Sequence, residues 1–281
     1  PGIDLAADRL EIGVCAQHNN GGIDVDLWWR SSIAGLFPVG EAAGAHGVAR
    51  PGGAALNSAQ VGATRAAQWI AAREQGAARA DEGWQELAGD ALQKARSLLE
   101  AACGREESSG VLIDDVLMES TRAMSDNAGL VRSRQGLEEL ARNVAEWRRR
   151  VVDECVVDPT SRRSVDRLFL VRDILDVQAV YVAAMLDHLD HGVGSRGSVL
   201  YTDPDGDLPV SWWNDGADLD VEEIFRHRLD SKAHHGVTQR VSVDAVGEAI
   251  HAHWGPVRPI PTEDEFLENV WKTYRVDHNI H

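Results

Sequence analysis

Apolar positions recur three and four residues apart through the middle of this chain, the signature of helices that each bury one face. Trp84, Leu87, Ala91, Ala95, Leu98 and Ala102 form a first stripe. Leu137, Leu140, Val144, Trp147 and Val151 form a second, and Leu168, Val171, Leu175, Val182, Leu186 and Leu189 a third. With a shorter helical stretch near Leu112 to Met124, these predict a small antiparallel bundle over residues 77–191.

The flanks read differently. The opening segment has short β-favouring runs, Ile12 to Ala16, Gly22 to Asp26 and Leu36 to Val39, divided by Asn-Asn-Gly-Gly and Ser-Ser turn signals. Those runs predict strands. From about Ala54 to Arg73 the pattern becomes helical, with Ala55, Ala59, Gly62 and Ala66 on one face; so small a face lets a helix lie close to a sheet or a cofactor. Ahead of it stands "HGVARPGG", an arginine and a Gly-Gly pair at a helix mouth, where exposed N–H groups and the helix dipole favour an electron-rich group. From Gly192 onward Gly, Pro and Asp dominate, and the sequence predicts loops with a few short strands, then a proline-bearing arm and a short helix. The fold expected is α+β and mostly α: residues 1–76 a small β/α segment, 77–191 the bundle, and 192–281 a loop-rich extension.

Composition narrows the function classes. A formal charge of -17 argues against a nucleic-acid partner, because such binding depends on lysine and arginine replacing counterions. Cys15, Cys103 and Cys155 include no C-x-x-C pair, so no disulfide framework or cysteine metal site is expected and a reducing, cytoplasmic setting is the simplest fit. No stretch is long and apolar enough to span a membrane. His234-His235 and His251-x-His253 lack further ligands at convincing spacing and read as surface or structural histidines. Trp28-Trp29 and Trp212-Trp213 read first as packing anchors, with a ligand-stacking role for Trp28-Trp29 as the second possibility. No G-x-S-x-G is present, which disfavours a hydrolase.

Specific motifs add a resemblance. "GLFPVGEAAG" followed by "HGVARPGGAALNSAQVGATRAA" resembles the C-terminal part of the flavoprotein subunit in the fumarate reductase and succinate dehydrogenase family, where G-L-[YF]-A-x-G-E runs into H-G-x-N-R-L-G-G-N-S-L. Upstream, "QHNNGGIDVD" stands for H-Y-x-M-G-G-I-x-V-[DN]. Downstream, Gly129-x-x-Arg132 with the following Leu-Glu-Glu, and "GSRGSVLY", are similar to parts of that family's helical domain.

The resemblance implies FAD as cofactor and hydride transfer between flavin and a small acid-like substrate. It implies that Glu41 meets the FAD sugar chain, that the backbone at Ala55 and Leu56 borders the isoalloxazine, and that Arg50 grips a substrate carboxylate, with Gln17 or His18 hydrogen-bonding beside it. Three departures count against succinate or fumarate as substrate: the family's substrate histidine falls on Gln17, its Asn before Arg is Ala49, and its Asn-Ser pair is Ala54-Ala55.

No G-x-G-x-x-G occurs, so the FAD-binding and capping domains of such an enzyme are expected upstream. The chain is then expected to be a C-terminal fragment, inactive alone, that self-associates through uncovered apolar surface and whose parent is cytoplasmic or peripheral to a membrane complex. The alternative is a non-catalytic structural or subunit-assembly module.

Overall fold

The computed structural model describes residues 21–46, 52–73, 83–106, 110–158, 160–197, 199–210, 221–244 and 249–257, with single positions between 262 and 276. The chain divides into two compact units, Pro1–Arg79 with Glu263–His281, and Ala80–Thr262.

In the first unit, among the described residues, the expected strands at 22–26 and 36–39 are replaced by a single parallel bridge, Ile23 to Ala43. Ile23 N–H donates to the Ala42 carbonyl at 2.9 Å, and Gly44 N–H to the Ile23 carbonyl at 2.9 Å. Gly22 is required there, because a Cβ would sit 2.6 Å from the Ala42 oxygen. Local side chains end the extension. Asp26 Oδ1 accepts from the backbone N–H of Trp28 at 2.8 Å and of Arg30 at 3.0 Å, and Ser31 Oγ accepts from Ile33 N–H at 3.1 Å. Such bonds offer the backbone a turn in place of a ladder. The run Ile12 to Ala16 lies outside the described residues.

A 3-10 turn, Gly40–Ala42, leads toward α1, Gly52–Arg73. The alanine-rich sequence of α1 has high intrinsic helix propensity. It buries only Gly62 and Ala66, two members of the small-residue face.

The second unit holds the bundle: α2 (Trp84–Cys103), α3 (Ile113–Ala128), α4 (Arg134–Asp153) and α5 (Arg162–Asp190). All five α4 stripe residues are buried, and Leu168, Val171, Leu175 and Val182 of α5 join them in one cluster with Ile113 and Val116 of α3. Full burial of a leucine-sized side chain contributes about 1.5–3 kcal/mol, so this seam dominates the unit. Serine N-caps fix where both long helices start: Ser133 Oγ accepts from Gly136 N–H at 3.0 Å, and Ser161 Oγ from Ser164 N–H at 3.3 Å. Trp147 adds a polar tie, its Nε1 donating to Glu119 Oε2 of α3 at 3.1 Å.

Helix α2 departs from expectation. Ala102 is buried and Leu98 packs against the core, but Trp84 and Ala91 of the stripe are exposed, so among the described side chains the stripe meets the core toward its C-terminal end; Leu92, beside the stripe, is 70% exposed.

Among the described residues, three two-stranded sheets brace the bundle. β1 (Val111–Leu112) pairs in parallel with β3 (Cys155–Val156), and β2 (Val131–Arg132) in parallel with β4 (Leu200–Asp207). β5 (Val237–Val243) and β6 (Ile250–Pro256) form an antiparallel hairpin from Val237 opposite Pro256 to Val243 opposite Ile250. The sequence predicts a few short strands in this region, and β4, β5 and β6 are strands there, β4 the longest.

The contrast along the bundle gives a prediction. Leu140→Ala, at a fully buried site, is expected to lower stability by about 2–5 kcal/mol, and Leu92→Ala by less than about 0.5 kcal/mol. Urea denaturation followed by circular dichroism checks both.

Candidate functional site

Among the described residues, a Cβ built on Gly52 or Gly53 meets nothing within 4 Å, and the first turn of α1 carries no acidic residue. The first-turn N–H groups lack intrahelical acceptors, as in any helix, and no carboxylate of that turn offsets the dipole. Ala55 is half-buried and Leu56 is 68% exposed. Glu41 lies in the 3-10 turn that packs beside α1, and Gly40, with φ +64°, puts its backbone against Ala59. Glu41, Ala55 and Leu56 thus belong to adjoining elements. Gln17, His18 and Arg50 lie outside the described residues. His46, which opens the His-Gly motif, is buried.

What holds α1 is aromatic packing. Trp29 adopts φ +58°, rare for a bulky residue, and a Cβ on Gly62 would lie 2.5 Å from its ring. Trp28, buried, stacks on Trp69 of α1 at 5.7 Å between centroids. Arg65 lies 4.1 Å over the Trp28 ring and Arg30 4.2 Å over that of Trp69, each such contact contributing about 0.5–1 kcal/mol or more. Arg65 Nε also donates to the Leu27 carbonyl at 2.7 Å. These rings pack the helix to the preceding turn, in keeping with the anchor reading of Trp28-Trp29.

In the second unit the motif residues Arg132 and Ser195-Arg196 come together around β2 and β4. Arg132 Nε donates to the carbonyls of Ala128 at 3.1 Å and Gly129 at 2.8 Å, closing the end of α3, and its Nη1 to Tyr201 Oη at 3.2 Å. Ser195, buried, bonds both backbone groups of Tyr201. Asp230, its side chain 2% exposed, ties this loop to the following segment: it accepts from Gly194 N–H at 3.2 Å and Arg196 at 3.3 Å, with His234 Nδ1 at 2.6 Å. Burial acts to raise its pKa, yet the hydrogen bonds from His234, Gly194 and Arg196 hold it below the ordinary carboxylate value.

Cys155, fully buried, has its thiol pushed up to about 11 by burial. It is a packing residue and a poor nucleophile. A cavity of about 590 Å³ lies between the ends of α3 and β4, lined by Asp126, Asn127, Ser133 and Glu223 among others. Its Glu223 is paired with Arg226, and Asp203 with Arg228, so most of its charge is balanced within the protein. His251 and His253 lie on exposed positions of β6, and no three metal-binding side chains gather among the described residues.

Sequence reasoning did not anticipate the Trp29–Gly62 contact or the buried Asp230. The only signals for them were an unexplained Trp-Trp pair and a His-His pair four residues beyond an aspartate.

No protein-family model matches the chain. Over 66 residues, 23% of this chain and 12% of the relative, it is 39% identical to a subunit of the fumarate reductase (CoM/CoB) of Methanothermobacter marburgensis. In fold it is similar to the FrdA chain of E. coli quinol fumarate reductase, with a TM-score of 0.63 at 19% identity over 88% of this chain and 38% of that one. The Mycobacterium smegmatis Sdh1 complex in the apo form gives a TM-score of 0.56 at 18% identity over 92% and 40%. At these identities the structural likeness is one of fold, and the chain spans well under half the length of each relative.

The packing of α1 is open to test. Gly62→Ala forces the Trp29 ring away and is expected to cost about 1–3 kcal/mol, the usual penalty for overpacking. Loss of the near-ultraviolet tryptophan dichroism together with a lower urea midpoint checks this.

Proposed function

We propose that this chain, which resembles the flavoprotein subunits of fumarate reductase and succinate dehydrogenase, is the flavin-edge and helical portion of an FAD-dependent oxidoreductase acting on a small acid-like substrate. The observation that carries this reading is the 39% identity over 66 residues to one of the subunits of a fumarate reductase. A fold likeness covering 88% of the chain supports it.

In this reading Glu41 accepts hydrogen bonds from the ribityl hydroxyls of FAD, and the first turn of α1, at Ala55 and Leu56, stabilises negative charge on the reduced ring. The cofactor supplies hydride transfer when bound. Arg50 holds an anionic group of the substrate, for which its planar fork is suited, and Gln17 or His18 hydrogen-bonds next to it. Gln17 carries no charge, so the substrate differs in its anionic pattern from succinate or fumarate. The nucleotide-binding and capping parts that complete the site come from polypeptide outside this chain, and this chain alone is inactive.

Two substitutions separate these roles in a protein that joins this chain to its nucleotide-binding part. Arg50→Gln is expected to lower kcat/KM for the acid substrate by about 100-fold, as loss of a charged bidentate contact does, and to leave FAD affinity unchanged. Gly53→Ala, where a side chain meets nothing within 4 Å among the described residues, is expected to leave stability unchanged and to weaken FAD binding. Flavin fluorescence titration and steady-state reduction of a panel of small unsaturated acids read both. Full activity in Arg50→Gln, or full FAD affinity in Gly53→Ala, contradicts the assignment concerned.

A further inference from the structure

One carboxylate at the end of α5 anchors the β5–β6 hairpin. Asp187 Oδ2 accepts from Gln239 Nε2 of β5 at 2.6 Å and from Trp254 Nε1 of β6 at 2.7 Å. Gln239 and Trp254 are opposite each other in the hairpin register, so each strand provides one donor. Gln239 Nε2 also donates to the Ala184 carbonyl at 3.0 Å. The Trp254 ring contacts two imidazoles three residues apart on α5, His188 at 5.3 Å and His191 at 4.9 Å between centroids, tilted by 40° and 34°. The next cross-strand pair, Arg240 and His253, alternates to the opposite, exposed face.

The two histidines differ in what surrounds them. His191 is about half exposed, with Asp187 Oδ1 3.4 Å from its Nδ1, so a charge there has a counter-ion and water. His188 is partly buried. The charged groups acting on it are Asp187 from its own helix, Arg196 from the loop after α5, Arg132 from β2 and Asp230 from the segment beyond β4. Both carboxylates are already engaged, Asp187 by the hairpin donors and Asp230 by His234, Gly194 N–H and Arg196. A proton on His188 would add a cation near two guanidinium groups where water is scarce. The Trp254 ring, 5.3 Å from the imidazole, is the hairpin's contact with it.

We propose that the β5–β6 hairpin is an acid-releasable element, docked on α5 while His188 is neutral and loosened when His188 takes a proton. Burial first, then Arg196 and Arg132, hold the imidazole below the ordinary histidine value, against the opposing pull of Asp187 and Asp230. Because the folded-state value is depressed, docking is at full strength above the ordinary value of 6.5 and weakens as pH falls through the lower folded-state value.

Hydrogen–deuterium exchange, corrected for intrinsic rates, at pH 8 and pH 5.5 tests this on the whole chain. The amides of Val237–Val243 in β5 and of residues 250–255 in β6 are expected to lose protection at the lower pH while those of α4 keep theirs, and His188→Gln is expected to abolish the difference. Unchanged hairpin protection in the wild type, or the full loss persisting in His188→Gln, overturns the proposal. If His188→Gln does not fold, the imidazole NMR titration of His188 in the wild type decides: a midpoint below 6.5 supports it, and one at or above 6.5 overturns it.

Discussion

Burial of the α4 and α5 apolar stripes against each other constrains where the other pieces of the larger unit can lie. Leu137, Leu140, Val144 and Val151 meet Leu168, Val171, Leu175 and Val182 in a seam with almost no solvent access. Once the two helices are in register, the ends of α3 and α4 place β2 for pairing with β4. The end of α5 places the Ser195-Arg196 loop and the hairpin anchor at Asp187. Polar contacts in this unit are therefore consequences of an apolar constraint, and their cost in desolvation is met by multiple partners, as at Asp230.

The smaller unit obeys a different rule. Its long helix buries little, and what fixes it is the fit of the Trp29 ring where Gly62 lacks a side chain, reinforced by Arg65 and Arg30 over Trp28 and Trp69. Among the described residues nothing lies within 4 Å of a Cβ built at Gly52 or Gly53 in the first turn of α1, and Glu41 sits on the neighbouring turn. The proposed flavin contact rests on that juxtaposition together with the resemblance to fumarate reductase flavoproteins.

The stripes of α4 and α5 were legible because a 3.6-residue period reports a buried face directly. The same signal misled for α2, where Trp84 and Ala91 continue the pattern past the end of the core. Periodicity reports amphipathicity and does not name the partner. The runs at 22–26 and 36–39 have strand-like composition, yet Asp26 and Ser31 capture the backbone into turns, a competition that composition does not register. Of the site, Glu41, Ala55 and Leu56 came from motif resemblance. The role of Gly62 depends on a tryptophan at positive φ, and its contact pairs residues far apart in sequence, which no local pattern reveals.

The most direct test of the central claim is a flavin titration of the 281-residue chain beside the same chain joined to its nucleotide-binding part, read by flavin absorbance and fluorescence quenching. The account predicts that the joined protein binds FAD stoichiometrically and purifies yellow, while the chain alone binds it weakly or not at all. Tight FAD binding by the chain alone, or a colourless joined protein, would contradict it.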